Sequence, residues 1–208
     1  MTRDQVQSVH DDIAYMKALA QEGRRTPMLG GRILAAAGLV FGLTALVHYG
    51  AAAGLVMIGG WGFAVLWAAA MAVFFAALMV FIQKDKSKPG AHSLVNRAGG
   101  AGWMGVGLAT FVLFLSMAVI AWTTGRGEVF LIFPSLIFAL YGSGWAVSAT
   151  MSGQRWQWRL AIGSWIAAPL IAFLTGSALM WLGYAAGLFL FALVPGLILA
   201  RQEPAEVI

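Results

Sequence analysis

The sequence predicts an all-α integral membrane protein: six transmembrane helices in one bundle, preceded by a short cytoplasmic amphipathic helix. Three observations carry that prediction. Of 208 residues, 61% are hydrophobic and only 10% charged, whereas a soluble domain is roughly a quarter charged. The apolar residues gather into six long runs that are apolar on every face, unlike the alternating strands of a membrane barrel. The basic residues fall between those runs in the pattern that membrane topology demands.

The chain divides into a polar segment 1–30, a membrane domain 31–201 and a tail 202–208. In the first segment Val6, Val9, Ile13 and Met16 recur at helical spacing within 4–22, ringed by Asp4, Gln5, Asp11, Asp12 and Gln21. Gly23 and Pro27 end that pattern. Such a helix folds back on its own bundle, or offers Val6, Val9, Ile13 and Met16 as a docking face for a partner. Asp11 and Asp12 argue against an anchor on anionic lipid, where such helices carry cations.

The six runs are 33–49, 55–82, 101–123, 129–151, 158–174 and 178–200. Each is near the ~20 apolar residues that a ~30 Å hydrocarbon layer needs. Arg159 alone carries formal charge inside them, one residue from an end. Arg3, Lys17, Arg24, Arg25 and Arg32 precede the first run. Lys84, Lys86, Lys88 and Arg97 follow the second, Arg155 and Arg159 follow the fourth or open the fifth, and Arg201 follows the sixth. With six spans all of these lie on one side, and only Arg126 faces the other. Both termini are therefore expected in the cytoplasm, with the bilayer that of a bacterial inner membrane. The net charge of +5 belongs to that side and marks orientation, so nucleic acid is not an expected partner. Lys84, Lys86 and Lys88 in the longest loop, 83–100, are further expected to touch acidic lipid headgroups. The opposite connections, 50–54, 124–128 and 175–177, are too short to fold into a receptor domain.

Chemistry-bearing groups are few. There is no cysteine, hence no thiolate site or disulfide, and the one asparagine, Asn96, heads no glycosylation sequon. His48 is the one histidine inside a run, beside Tyr49, and reads first as an interfacial side chain, second as a proton or ligand site. His10 and His92 lie on the other side by the same topology, so no pair for haem forms. Ser116, Ser135, Ser143, Ser148 and Ser164 lack a neighbouring base. No enzyme activity, cofactor or metal is expected.

Glycine and tryptophan fill the gap. Gly38-x3-Gly42, Gly50-x3-Gly54, Gly183-x3-Gly187 and Gly144-x3-Ser148 set small residues on one helical face, for packing within the chain or against another. Trp61, Trp122 and Trp181 are expected at one membrane interface and Trp103, Trp156 and Trp158 at the other. The deeper Trp145 and Trp165 could join Trp103 around an apolar ligand cleft, with His48 as a further candidate. Pro134, Pro169 and Pro195 interrupt three runs.

The leading functional reading is a non-enzymatic accessory or regulatory subunit, acting through helix–helix contacts with another membrane protein or a second copy. A carrier or channel for a neutral or amphipathic small molecule is the alternative, and a haem- or quinone-binding electron-transfer protein the third. A carrier requires a hydrated cavity at mid-membrane. An accessory subunit requires a packed interior and an exposed stripe of small residues.

Overall fold

The computed structural model describes residues 7, 10–16 and 27–204. Every regular element among them is helical: α1 Gly31–Ala52, α2 Gly62–Lys86, α3 Leu94–Thr124, α4 Phe133–Ser152, α5 Arg155–Phe173, α6 Leu179–Leu188 and α7 Val194–Gln202. A 3-10 turn, Gly127–Ile132, leads into α4, and a π-helical turn, Phe189–Leu193, joins α6 to α7 in one continuous rod. Five helical stretches are long and apolar enough to cross a membrane: 31–52, 62–86, 94–124, 127–152 and 179–202. The sixth expected span, α5, has 19 residues and starts with Arg155, Gln157 and Arg159 in its first turns. Its composition alone does not qualify it.

The second run begins later than the sequence suggests. Leu55–Trp61 form no helix, because Gly54 turns at φ 75° and Gly59-Gly60 weakens any helix by about 1 kcal/mol per residue. The loop after α2 is conversely short, seven residues from Ser87 to Ser93, since α2 runs to Lys86 and α3 starts at Leu94. Ser93 caps α3 by accepting the Asn96 N–H at 3.3 Å.

The helices form two groups of three. In the first, α1 packs on α2 and along the whole α6–α7 rod; in the second, α4 packs on both α3 and α5. Glycine sets the first group's spacing. A Cβ on Gly196 would meet the backbone of Ala35 and the Gly31 carbonyl oxygen, the latter at 2.8 Å, and one on Gly38 would meet Leu193 Cα at 2.8 Å. Backbones this close gain dispersion contacts that lipid cannot compete with. Between the groups, Phe138 fills the notch over Gly187 and touches the Tyr184 and Phe191 rings, while Phe191 lies on Gly163. The centre is solid: Phe138, Trp145, Met180 and Leu188 are at most 1% exposed.

The π turn has an identifiable cause. Pro195 has no N–H and its ring would press on the carbonyl of Phe191, four residues earlier; a wider turn relieves that clash. The Phe191 carbonyl then takes its hydrogen bond from the Trp145 Nε1–H of α4, at 2.9 Å. Near Pro169, Ser135 of α4 donates to the Ala168 carbonyl at 2.8 Å.

Two stability outcomes follow. Gly196→Val should cost about 3 kcal/mol or prevent assembly, whereas Gly105→Ala, with open space around it, should be neutral or stabilising by ~0.5–1 kcal/mol. Thermal unfolding of the detergent-solubilised protein reads both. In the same assay Trp145→Phe should lose about 1–2 kcal/mol, because it strips the Phe191 carbonyl of its donor.

Candidate functional site

Polar chemistry concentrates where the ends of α2 and α7 meet the starts of α1, α3 and α5, called here the basic end. Glu203, just past α7, is the hub. Its Oε1 accepts the Gly31 N–H at 2.8 Å, and its Oε2 lies 2.5 Å from Lys88 Nζ and 3.6 Å from Arg32 Nε. A carboxylate from the tail thus caps α1, where the helix dipole favours negative charge. Lys88 Nζ also donates to Asp85 Oδ1 at 2.5 Å, and the Lys88 and Glu203 side chains are fully buried. Among the described residues the cluster pairs Lys88 and Arg32 with Asp85 and Glu203. The second Asp85 oxygen, Oδ2, is buried with no hydrogen-bond partner among the described residues. Burial pulls the Lys88 ammonium down, but hydrogen bonds and charge from Asp85 and Glu203 outweigh it and hold its pKa above the ordinary 10.5.

Beside that cluster, Asn96 clasps the stretch before α1. Its Oδ1 accepts the Leu29 N–H at 2.9 Å, and its Nδ2 donates to the Pro27 and Gly90 carbonyls at 3.0 and 2.9 Å. Gln157, fully buried at the start of α5, accepts from Ser152 Oγ at 2.9 Å and reaches Met28 Sδ at 3.4 Å.

At the opposite end His48 joins an aromatic cluster. Its ring stacks on Trp181 with centroids 3.6 Å apart, lies 4.4 Å from Phe63, and accepts the Trp67 Nε1–H at Nδ1, 3.1 Å away. Since Nδ1 accepts, a neutral imidazole must carry its proton on Nε2. The histidine therefore ties α1 to both α2 and α6. Trp181 belongs to this cluster and not to an outward belt, whereas Trp61 and Trp122 are 85% and 88% exposed.

The four residues expected to form one cluster separate into three places. Trp103 and Trp145 meet edge to face at 5.2 Å, with Trp103 donating to Ser148 Oγ at 3.0 Å. Trp165 instead covers Gly142 and donates to the Ala139 carbonyl at 3.2 Å. His48 lies with Trp67 and Trp181. The space beside Gly144 is filled by Trp103 and Val106, so the expected cleft between the tryptophans is a packed seam. An open apolar groove of about 440 Å³ runs along α3, lined by Val112, Leu115, Ser116, Val119 and Ile120.

Of the expected docking face, Val6 and Val9 lie outside the described residues. Ile13 and Met16 are on a helical stretch, 10–16, and are 54% and 60% exposed. Lys84 and Lys86 are exposed, whereas Lys88 is buried in its ion pairs. Among the glycine pairs, Gly38, Gly42, Gly183 and Gly187 face side chains or backbone of this same chain, and Gly54 serves a turn. Ser116 and Ser143 bond carbonyls of their own helices, whereas Ser164 Oγ is buried without a partner among the described residues. Among the described residues no three His, Cys, Asp or Glu side chains gather to hold a metal ion.

No family model, curated protein or solved structure matches this chain. Its own geometry is the basis for assigning a function.

Lys88→Met should destabilise the protein by about 3 kcal/mol, because it strands Glu203 and Asp85 without their buried cation. The folded state raises the Lys88 pKa, so its stabilisation is complete at neutral pH and lost as the pH rises past 10.5. Melting temperature should therefore fall more steeply above that pH in the native protein than in Lys88→Met.

Proposed function

We propose that this chain is a non-enzymatic multi-pass membrane protein that works as an accessory or regulatory subunit through helix–helix contacts. In this reading α5 is the sixth span. Nineteen residues reach about 28 Å at 1.5 Å per residue, enough for a thin hydrocarbon layer, and Arg159 snorkels to the near interface. Both termini then share the basic end, which faces the cytoplasm of a bacterial inner membrane.

One observation carries the proposal. Along α2, Ala64, Ala68, Ala72 and Ala76 form an exposed ridge at four-residue spacing, and among the described residues α1 is the one helix in extensive contact with α2. Small residues in such a row let another helix's backbone approach, and this row is left uncovered while the glycine pairs of α1 and α6 are used inside the chain. The packed centre favours this reading over a carrier, which needs a hydrated path between the two groups.

The test is photo-crosslinking in intact membranes. A photoreactive residue at Ala68 or Ala72 should yield one discrete higher-mass adduct, either with a second copy or with another membrane protein. The same probe at Leu170, exposed on α5, should yield none. Lipid adducts alone at all three positions would remove the basis for the proposal. Because the chain has no cysteine, single-cysteine labelling settles the topology separately: Lys86→Cys should react only from the cytoplasmic side and Gly125→Cys only from the other.

A further inference from the structure

We propose that residues 27–31 are a strap that holds the two three-helix groups together at the basic end, so that releasing it lets the groups part there. The inference concerns this chain's own mechanics and does not depend on the partner reading above. Residues 27–30 are not helical, and Gly30 turns into α1 at φ 94°. That short stretch is bonded to both groups at once. On the side of the second group, Asn96 of α3 holds Pro27 and Leu29, and Gln157 of α5 holds Met28. On the side of the first, Glu203 holds Gly31 and ties it to Lys88.

Met28 is the wedge. It is 4% exposed although it precedes the first long helix, and its Cε is 3.4 Å from where a Gly99 Cβ would stand on α3. Between the groups, α5 and α6 make the most backbone contact of any helix pair among the described residues, and even that contact is sparse; they are joined directly by residues 174–178 at the far end. The groups are also joined covalently at the basic end by the seven-residue loop 87–93, so the strap adds noncovalent fastening to a short tether there, while a short turn joins them at the far end. The stretch that fastens them continues directly from the N-terminal segment, whose residues 10–16 leave Ile13, Tyr15 and Met16 exposed.

The full chain, which has no cysteine, permits a direct test with engineered cysteines. In Met28→Cys, maleimide labelling should be much slower than in the exposed control Ser87→Cys, and adding Asn96→Ala should speed it about tenfold, the factor expected when hydrogen bonds of this number are lost. Spin labels on Lys86→Cys and Arg155→Cys, one in each group at the basic end, should give a broader and longer distance distribution with Asn96→Ala. Labels on Trp61→Cys and Trp122→Cys at the far end should not move. Gln157→Leu, which keeps the volume and removes the bond to Met28, repeats the test should Asn96→Ala fail to fold. An unchanged distance at the basic end overturns the proposal. So does broadening at both ends, which would mean general loosening, and so does labelling of Met28→Cys as fast as Ser87→Cys.

Discussion

The contact between α1 and the α6–α7 rod is the constraint on which the rest of the structure depends. Two helices approach to backbone contact where at least one of them carries no side chain, and here Gly31 and Gly38 face Gly196 and Leu193. In a lipid environment, where apolar side chains gain little by leaving their solvent, such close approach is a main source of association energy. The rod is thereby fixed as the spine. α2 rests on α1 and meets the rod through the Trp67 and Trp181 rings, and the second group joins the spine through Phe138, Trp145 and Phe191.

The same spine explains where tryptophan is used. Pro195 frees a carbonyl in the middle of a membrane-length helix, and an unsatisfied carbonyl in an apolar interior is costly. Trp145 supplies an N–H on a large apolar ring, so it satisfies the carbonyl and fills volume together. Trp103 with Ser148, Trp165 with Ala139 and Trp67 with His48 repeat the device. Trp145 is thus a hydrogen-bonding part of the packed interior, and Trp103, Trp67 and the more exposed Trp165 do the same nearer the surface of the helix group.

Formal charge is treated in the opposite way. It is kept out of the packed centre and gathered at one end, where Asp85, Lys88, Glu203 and Arg32 pair with one another and Asn96 and Gln157 satisfy the backbone around them. A buried paired cluster adds little net stability over apolar packing, but it penalises alternatives that leave one partner unpaired. It therefore specifies how the ends of the chain's helices come together. Geometry at that end depends on pairings that a change at a single residue can undo, whereas the far end rests on ring stacking and short turns.

Much of the fold was legible in the residue order. Apolar runs on every face announced long helices, the glycine pairs announced close packing, and segregated cations announced one basic end. These are local or periodic signals, which is why one sequence suffices to read them. The start of α2 was missed because Leu55, Val56, Met57 and Ile58 are apolar enough for a span, while Gly54, Gly59 and Gly60 decide the backbone. The candidate site was legible only in part. His48 stood out as a lone imidazole, but its partners Trp67 and Trp181 come from two other helices. Lys88 looked like one of three equivalent loop lysines until Glu203, 115 residues later, buried it. What the sequence determined by itself is which stretches are helical and which end is charged, since both follow from solvation of near neighbours. Tertiary structure alone decided which small faces are covered, which tryptophan serves which carbonyl and which lysine is buried, because each depends on a partner that distant chain segments bring into place.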